Sequence, residues 1–158
     1  NMDAYTNVES LSFSFDAENQ VLPIVMVQQR TSRATIPIPI PTDITPLNPP
    51  LGAVPPLPKR FLKIRGTARL SALAATGIGL AYAARSADAV KGTGALDVAR
   101  YGGVLRARSL VGVRGAGLAF DGMYYVSEVT HKIQRGEYKQ DFKLVRNGLI
   151  STLQKVPV

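Results

Sequence analysis

Along Val8 to Phe15 the apolar residues Leu11, Phe13 and Phe15 alternate with Ser10, Ser12 and Ser14. A period of two puts every second side chain on one face, which predicts a half-buried strand. A polar turn, Asp16 to Gln20, leads into Val21 to Val27, an apolar and largely β-branched run broken by Pro23. Proline cannot donate to a ladder, so Pro23 is expected at a strand start or on an edge, and the two strands are expected to pair as a hairpin. Phe61 to Gly66 reads as another short strand. From Thr67 the period changes: Leu70, Leu73, Gly77, Leu80 and Ala84 recur at three and four residues. That spacing predicts a helix over Thr67 to Ala87, capped by Thr67 and buried through this stripe. Gly77 and Gly79 each cost a helix about 1 kcal/mol relative to alanine, so a close neighbour is expected against them. The run Lys91-Gly92-Thr93-Gly94 is expected to end the segment.

The last third is β-rich by pattern. Val104 to Arg114 carries Leu105, Ala107, Val111 and Val113 on one side and Arg106, Arg108 and Arg114 on the other, and Gly115-Ala116-Gly117 turns it. Met123 to Ile133 is a strand by residue type. After Arg135-Gly136, Tyr138, Gln140, Phe142 and Leu144 alternate with Lys139, Asp141, Lys143 and Val145, so these two strands predict a hairpin.

Between Ile36 and Pro58 lie nine of the eleven prolines, first as I-P-I-P-I-P and then as N-P-P-L-G-A-V-P-P-L-P. Proline at this density fixes φ and favours an extended, polyproline-like path. Regularly spaced isoleucines need apolar cover, which a free linker does not. The segment is expected to be an arm lying along its own domain or a neighbouring subunit, the alternative being a ligand for a proline-recognising domain. The expected fold is α+β, mainly antiparallel β with barrel character, one Ala-rich helix and a Pro-rich extended arm. Residues 1–57 supply the hairpin and arm and 58–158 the helix and barrel-like domain, as one cooperative unit.

Composition narrows the function more than the fold. The 158 residues are 46% hydrophobic and 19% charged, which fits a folded chain, and the absence of cysteine removes disulfide and thiolate chemistry. No secretory leader follows Asn1, and the chain reads as a piece of a longer protein. Ala68 to Ala84 is too short and too rich in Ala and Gly to span a bilayer. Net charge is +8, with two basic and five acidic residues up to Leu57 and seventeen and six after it. Such a half suits a nucleic-acid surface or an acidic partner, although the cations read as singly scattered.

Catalytic constellations are hard to assemble. His131 is the only histidine and sits within a predicted strand, with no G-x-S-x-G context for a serine nucleophile. One imidazole among dispersed carboxylates is poor zinc spacing. Gly112 to Gly117 reads G-x-x-G-x-G, the reverse of a dinucleotide fingerprint, and no helical pattern follows it. Tyr124, Tyr125 and Tyr138 beside basic residues suit base stacking, but suit a sheet core or an interface better. Asp121, Glu128 and Asp141 are the carboxylates a polysaccharide hydrolase would need, with Asp121 and Glu128 the first to test. No catalytic residue, metal site or cofactor is expected.

Two stretches carry a resemblance: Y-G-G-V-L-R-A-R-S-L-V-G-V-R-G-A-G (Tyr101 to Gly117) and F-D-G-M-Y-Y-V-S-E-V-T-H-K-I-Q-R-G-E-Y-K-Q-D-F-K-L-V-R-N-G-L (Phe120 to Leu149). They resemble the C-terminal end of the phage late-control D family, tail hub proteins related to the VgrG hub of type VI secretion and to hubs of other contractile injection systems. N-V-E-S-L-S-F-S-F-D-A-E, P-I-P-I-P and N-P-P-L-G look like the stretch that precedes that end. The resemblance implies a structural hub or baseplate component that joins a tail tube to a spike. It implies a homotrimer with spike, tube and baseplate partners, weak nucleic-acid contact in the channel and no membrane span. The location implied is the bacterial cytoplasm during assembly and then the tail particle, virion or injection machine. The structural and interface candidates are then Asp121, Gly122, Tyr124, Tyr125, His131, Arg135, Gly136, Tyr138 and Phe142, with His131 in a packing or interface role. The rival readings are a basic nucleic-acid-binding module and a tail domain associated with a cell-wall hydrolase.

Overall fold

The alternation from Tyr138 onward is realised in a ten-residue strand, Glu137–Arg146, that lies in the middle of a five-stranded sheet. The computed structural model describes residues 6–18, 20–29, 32–41 and 50–153. In chain order the strands are β1 (Ser10–Phe15), β2 (Val21–Gln28), β3 (Thr35–Pro39), β4 (Gly52–Val54), β5 (Arg60–Ile64), β6 (Val90–Asp97), β7 (Leu110–Val113), β8 (Gly122–Gln134), β9 (Glu137–Arg146) and β10 (Leu149–Ser151). The helices are α1 (Ala72–Ser86) and α2 (Val98–Tyr101). They fall into two units, one drawn from Asn1–Asp16, Leu51–Val54 and Val90–Val158 and the other from Ala17–Pro50 and Pro55–Ala89. Residues from both sides of position 57 enter each unit.

In the first unit the order β1-β6-β9-β8-β7 is antiparallel throughout and curls into an open half-barrel, while β4 pairs with β10. The mainly antiparallel α+β fold with one main helix is as the patterns predict. Tyr124 and Val126 of β8, Phe142 and Leu144 of β9, and Val90 and Leu96 of β6 fill its core. A bulge between Val126 and Glu128 shifts the register, which returns Val129 to the core side. Strand β6 was hidden by its glycines. Gly92 pairs with Phe13 and Gly94 with Phe142; a Cβ there would come within 2.7 Å and 2.6 Å of those rings. The glycines are the space that two aromatic side chains occupy.

The second unit is a three-stranded sheet, β3-β2-β5, covered by α1. Antiparallel pairing of β2 with β3 and parallel pairing with β5 replace the expected hairpin between β1 and β2, which lie in different sheets. Pro23, expected at a strand start or on an edge, is the buried third residue of the central strand, near its start but not on an edge. It stands at the end of the β2–β3 ladder, where its carbonyl accepts from Ile40 N at 2.9 Å and the reciprocal bond is simply missing. The expected polyproline-like arm is a strand in its first part: Ile36 and Ile38 turn their backbone to β2, and Pro37 and Pro39 face outward, where no donor is needed. A later part, Gly52–Val54, pairs with β10; residues 42–49 of the arm, with Asn19, lie outside the described residues.

Helix α1 begins at Ala72, later than predicted, with Ser71 as its cap: Ala74 N donates to Ser71 Oγ at 3.2 Å. Thr67 is instead the buried first residue of a single 3-10 turn, Thr67–Arg69, its hydroxyl accepting from Met26 N at 2.8 Å and donating to Ile64 O at 3.2 Å. The buried face is Ala75, Gly79 and Ala83, and Leu73, expected to be buried, is 86% exposed. Against that face Val25 and Ile40 come so close that a Cβ on Gly79 would lie 2.9 and 2.6 Å from their methyl and methylene carbons. Size decides here over hydrophobicity: a helix pressed this tightly on a sheet has room only for Ala and Gly. Gly77 has no such neighbour within 4 Å. Strand β7 is also shorter than Val104 to Arg114, because Arg108 takes a left-handed φ of 63° and breaks the extension. Among the described residues no helix is long and apolar enough to cross a membrane.

Candidate functional site

The sequence candidates separate into two groups along β8 and β9. At the start of β8, Asp121 Oδ1 accepts from Ala116 N at 2.7 Å, which closes the loop that carries the left-handed Gly115 and Gly117. Gly122 follows with φ 127°, and a Cβ there would collide with the side chain of Ser151. Only glycine permits β8 to begin this close to β10. Tyr124 is fully buried, with its ring 5.3 Å from Phe13 and its hydroxyl donating to Phe120 O at 2.7 Å. Burial pushes that hydroxyl up to about 12, Arg146 pulling against the shift and Asp121 adding to it. Phe142 is core. These four positions build the sheet and offer little surface.

The sequence reading did not single out Arg146, the residue on which this group converges. It is 1% exposed, and its Nε, Nη1 and Nη2 donate to the carbonyls of Gly148 (2.7 Å), Asp121 (2.9 Å) and Ala119 (2.7 Å). Its guanidinium also lies 4.4 Å from the Tyr124 ring centroid. Three carbonyls and a π face stand in for a carboxylate partner. Burial pulls its pKa down from the usual arginine value, with Tyr124 and Asp121 offsetting part of the shift. The available signal was the inward parity of Arg146 in the β9 alternation, two residues beyond Leu144.

The second group lies toward the tip of the hairpin. Strand β6 pairs with β9 only as far as Lys139, so Arg135, Gly136 and Tyr138 stand beyond it. Gly136 adopts φ 82° in the two-residue turn, and Arg135 beside it is exposed. His131 pairs with Gln140 across the hairpin. The Gln140 amide is locked, its oxygen accepting from Leu105 N at 2.9 Å and its nitrogen donating to Leu105 O at 3.0 Å. That nitrogen is also 3.2 Å from His131 Nδ1, and the Tyr138 hydroxyl is 2.8 Å from the same atom. With the amide orientation fixed, Nδ1 is the acceptor and the imidazole proton sits on Nε2. The exposed His131 ring is thus held by hydrogen bonds to two side chains of β9.

Ion pairs tie the outer face of the sheet together: Lys132 with Asp141, Lys143 with Glu128 at 2.8 Å, and Lys139 with Glu9 at 3.0 Å and Glu137 at 2.8 Å. Hydrogen bonds donated by its ammonium to the carboxylates of Glu137 and Glu9 hold Lys139 above the usual lysine range. Tyr125 is half-buried on this side, opposite Leu110 and Val145. Asp121 and Glu128 do not converge. Seven residues of strand rising about 3.3 Å each put them roughly 20 Å apart, against about 5–9.5 Å for a glycosidase pair. Among the described residues no three His, Asp or Glu side chains cluster as a metal site would require.

No family model matches the chain, and no curated protein matches it in sequence. Among solved structures it is similar to the 43 kDa tail protein of prophage MuSo2 from Shewanella oneidensis, with a TM-score of 0.54 and 11% identity. The match covers 91% of this chain and 41% of that protein. At that identity the likeness is one of fold: nine-tenths of the chain follows the backbone of two-fifths of a prophage tail protein.

Proposed function

We propose that the protein is a structural component of a phage tail or a phage-derived injection machine, serving as a hub element between tail tube and spike. The observation that carries this reading is the fold shared with a prophage tail protein over 91% of the chain. The resemblance of the Tyr101 to Leu149 wording to tail hubs points the same way. The use of the polar residues agrees with a building part. Asp121, Gln140 and Arg146 are committed to backbone partners, and Glu128 to an ion pair. Assembly as a homotrimer in the bacterial cytoplasm, followed by incorporation into the tail particle, belongs to the same proposal. So do the spike, tube and baseplate partners and a weak nucleic-acid contact in the channel.

The test is a gentle affinity capture of the intact parent protein from its native host, with the co-purifying proteins identified by mass spectrometry. Recovery of spike, tube and baseplate proteins is expected. Recovery of nucleic acid or soluble enzymes without any tail protein overturns the proposal.

A further inference from the structure

The two edges of the second unit's sheet are built differently. On β3 the pairs Ile36–Val27 and Ile38–Val25 turn backbone groups inward, so the outward positions fall on Pro37 and Pro39, which have no N–H to offer. That edge is closed to another strand. On β5 the parallel register turns the backbone of Arg60, Leu62 and Ile64 toward β2. The backbone N–H and C=O of Phe61 and Lys63 face outward, and no proline interrupts them. Four of the five β5 residues are exposed, Phe61 to 72%.

This open edge is also the most basic stretch of the chain. Lys59, Arg60, Lys63, Arg65 and Arg69 fall within eleven residues, are exposed, and make no ion pair among the described residues. The unit as a whole carries eight Lys and Arg against three Asp and Glu. Cations along an edge repel a second copy of the same edge, which prevents self-pairing, and attract a strand bearing carboxylates. Exposed Phe61 and Leu62 add apolar contact that a phosphate backbone does not need, and a row of alternating donors and acceptors matches a polypeptide edge and not a nucleic acid.

We propose that β5 is a docking edge for an extended acidic segment of another protein, which adds as a fourth strand beyond Phe61 and Lys63. The proposal does not depend on the tail assignment. Failure to bind a strand leaves that reading intact, and a capture without tail proteins leaves the β5 edge intact.

The test uses the intact chain and three labelled probes read by fluorescence anisotropy: a ten-residue peptide alternating Glu with Val, a Glu-Pro alternating peptide of the same charge, and a single-stranded oligonucleotide. The Glu-Val peptide is expected to bind saturably and at least about tenfold more tightly than the other two. In the complex, hydrogen exchange is expected to slow at the Phe61 and Lys63 amides and to stay unchanged at Arg60 and Leu62, which already bond to β2. Lys63→Glu with Arg65→Glu, both at exposed positions, is expected to weaken binding about tenfold or more while far-ultraviolet circular dichroism stays that of the parent. Equal binding of the Glu-Pro peptide, preference for the oligonucleotide, absence of binding, or binding without protection at Phe61 and Lys63 each overturns the proposal.

Discussion

In the first unit the core is filled by large side chains standing on a curled sheet, with Tyr124, Leu96, Phe142 and Leu144 almost fully buried. In the second unit α1 turns Ala75, Gly79 and Ala83 to the sheet against buried Val25, Ile40 and Ile64, with Val27, Ile38 and Leu80 partly buried around them. One core gains its stability from apolar area, the other from the close approach of two backbones. The difference teaches that the two should fail under opposite substitutions. Phe142→Ala leaves a cavity in the first unit and is expected to destabilise by about 3–5 kcal/mol in urea unfolding. The equivalent damage in the second unit comes from adding atoms: Ala83→Leu is expected to cost about 1–3 kcal/mol through overpacking. If enlarging Ala83 were neutral, the close-approach account of α1 would be wrong.

The first unit also buries a cation, and the second has no counterpart among its described residues. Arg146→Met keeps most of the volume but removes the guanidinium donors to the carbonyls of Gly148, Asp121 and Ala119, of which the last keeps Ile150 N at 3.1 Å. The expected loss is about 3 kcal/mol, and the loop around Ala119 should lose its protection from hydrogen exchange first. Equal protection in variant and parent would show that the loop is held by other contacts.

The same cluster gives the first unit a pH dependence. Because the folded hydroxyl of Tyr124 titrates near 12 and an unfolded tyrosine near 10, the unfolded state binds fewer protons between those values. Stability from this group is therefore complete below pH 10 and declines as pH rises toward 12. Tyr124→Phe is expected to flatten that decline while lowering stability modestly at neutral pH through the lost hydrogen bond to Phe120 O. The check is the melting temperature of both proteins across this range.

These contrasts also mark what the sequence could tell. Alternation in Tyr138 to Arg146 and the Arg135-Gly136 turn were legible because each residue's side was fixed by its own polarity. Strand β6 was not, because Gly92 and Gly94 owe their identity to Phe13 and Phe142, residues far away in sequence. The stripe predicted for α1 was only partly right for a related reason: Leu80 packs beside the core, but the tight face needs small residues, and Leu73 is left exposed. Arg146 was invisible as a site since its partners are backbone carbonyls, which leave no trace in side-chain identity. The basic run from Lys59 to Arg69 was readable as composition, but only the β2–β5 register shows that it borders an open edge.

The smallest effect sharpens the comparison most, because it contrasts two glycines of one helix two residues apart. Gly77 has nothing within 4 Å of where a Cβ would stand, so Gly77→Ala restricts the unfolded chain without any steric conflict. It is expected to stabilise by about 1 kcal/mol. At Gly79 the same change gains the same propensity, yet the new Cβ would sit 2.6 Å from Ile40 Cγ1 and 2.9 Å from Val25 Cγ1. Both neighbours are themselves buried, so neither can move without displacing others, and overpacking of about 1–3 kcal/mol outweighs the gain. Opposite signs for the two variants in urea unfolding would locate the second unit's stability in the gap between α1 and β2. A gain at both positions would mean that this gap relaxes freely and that the helix is held by its exposed face instead.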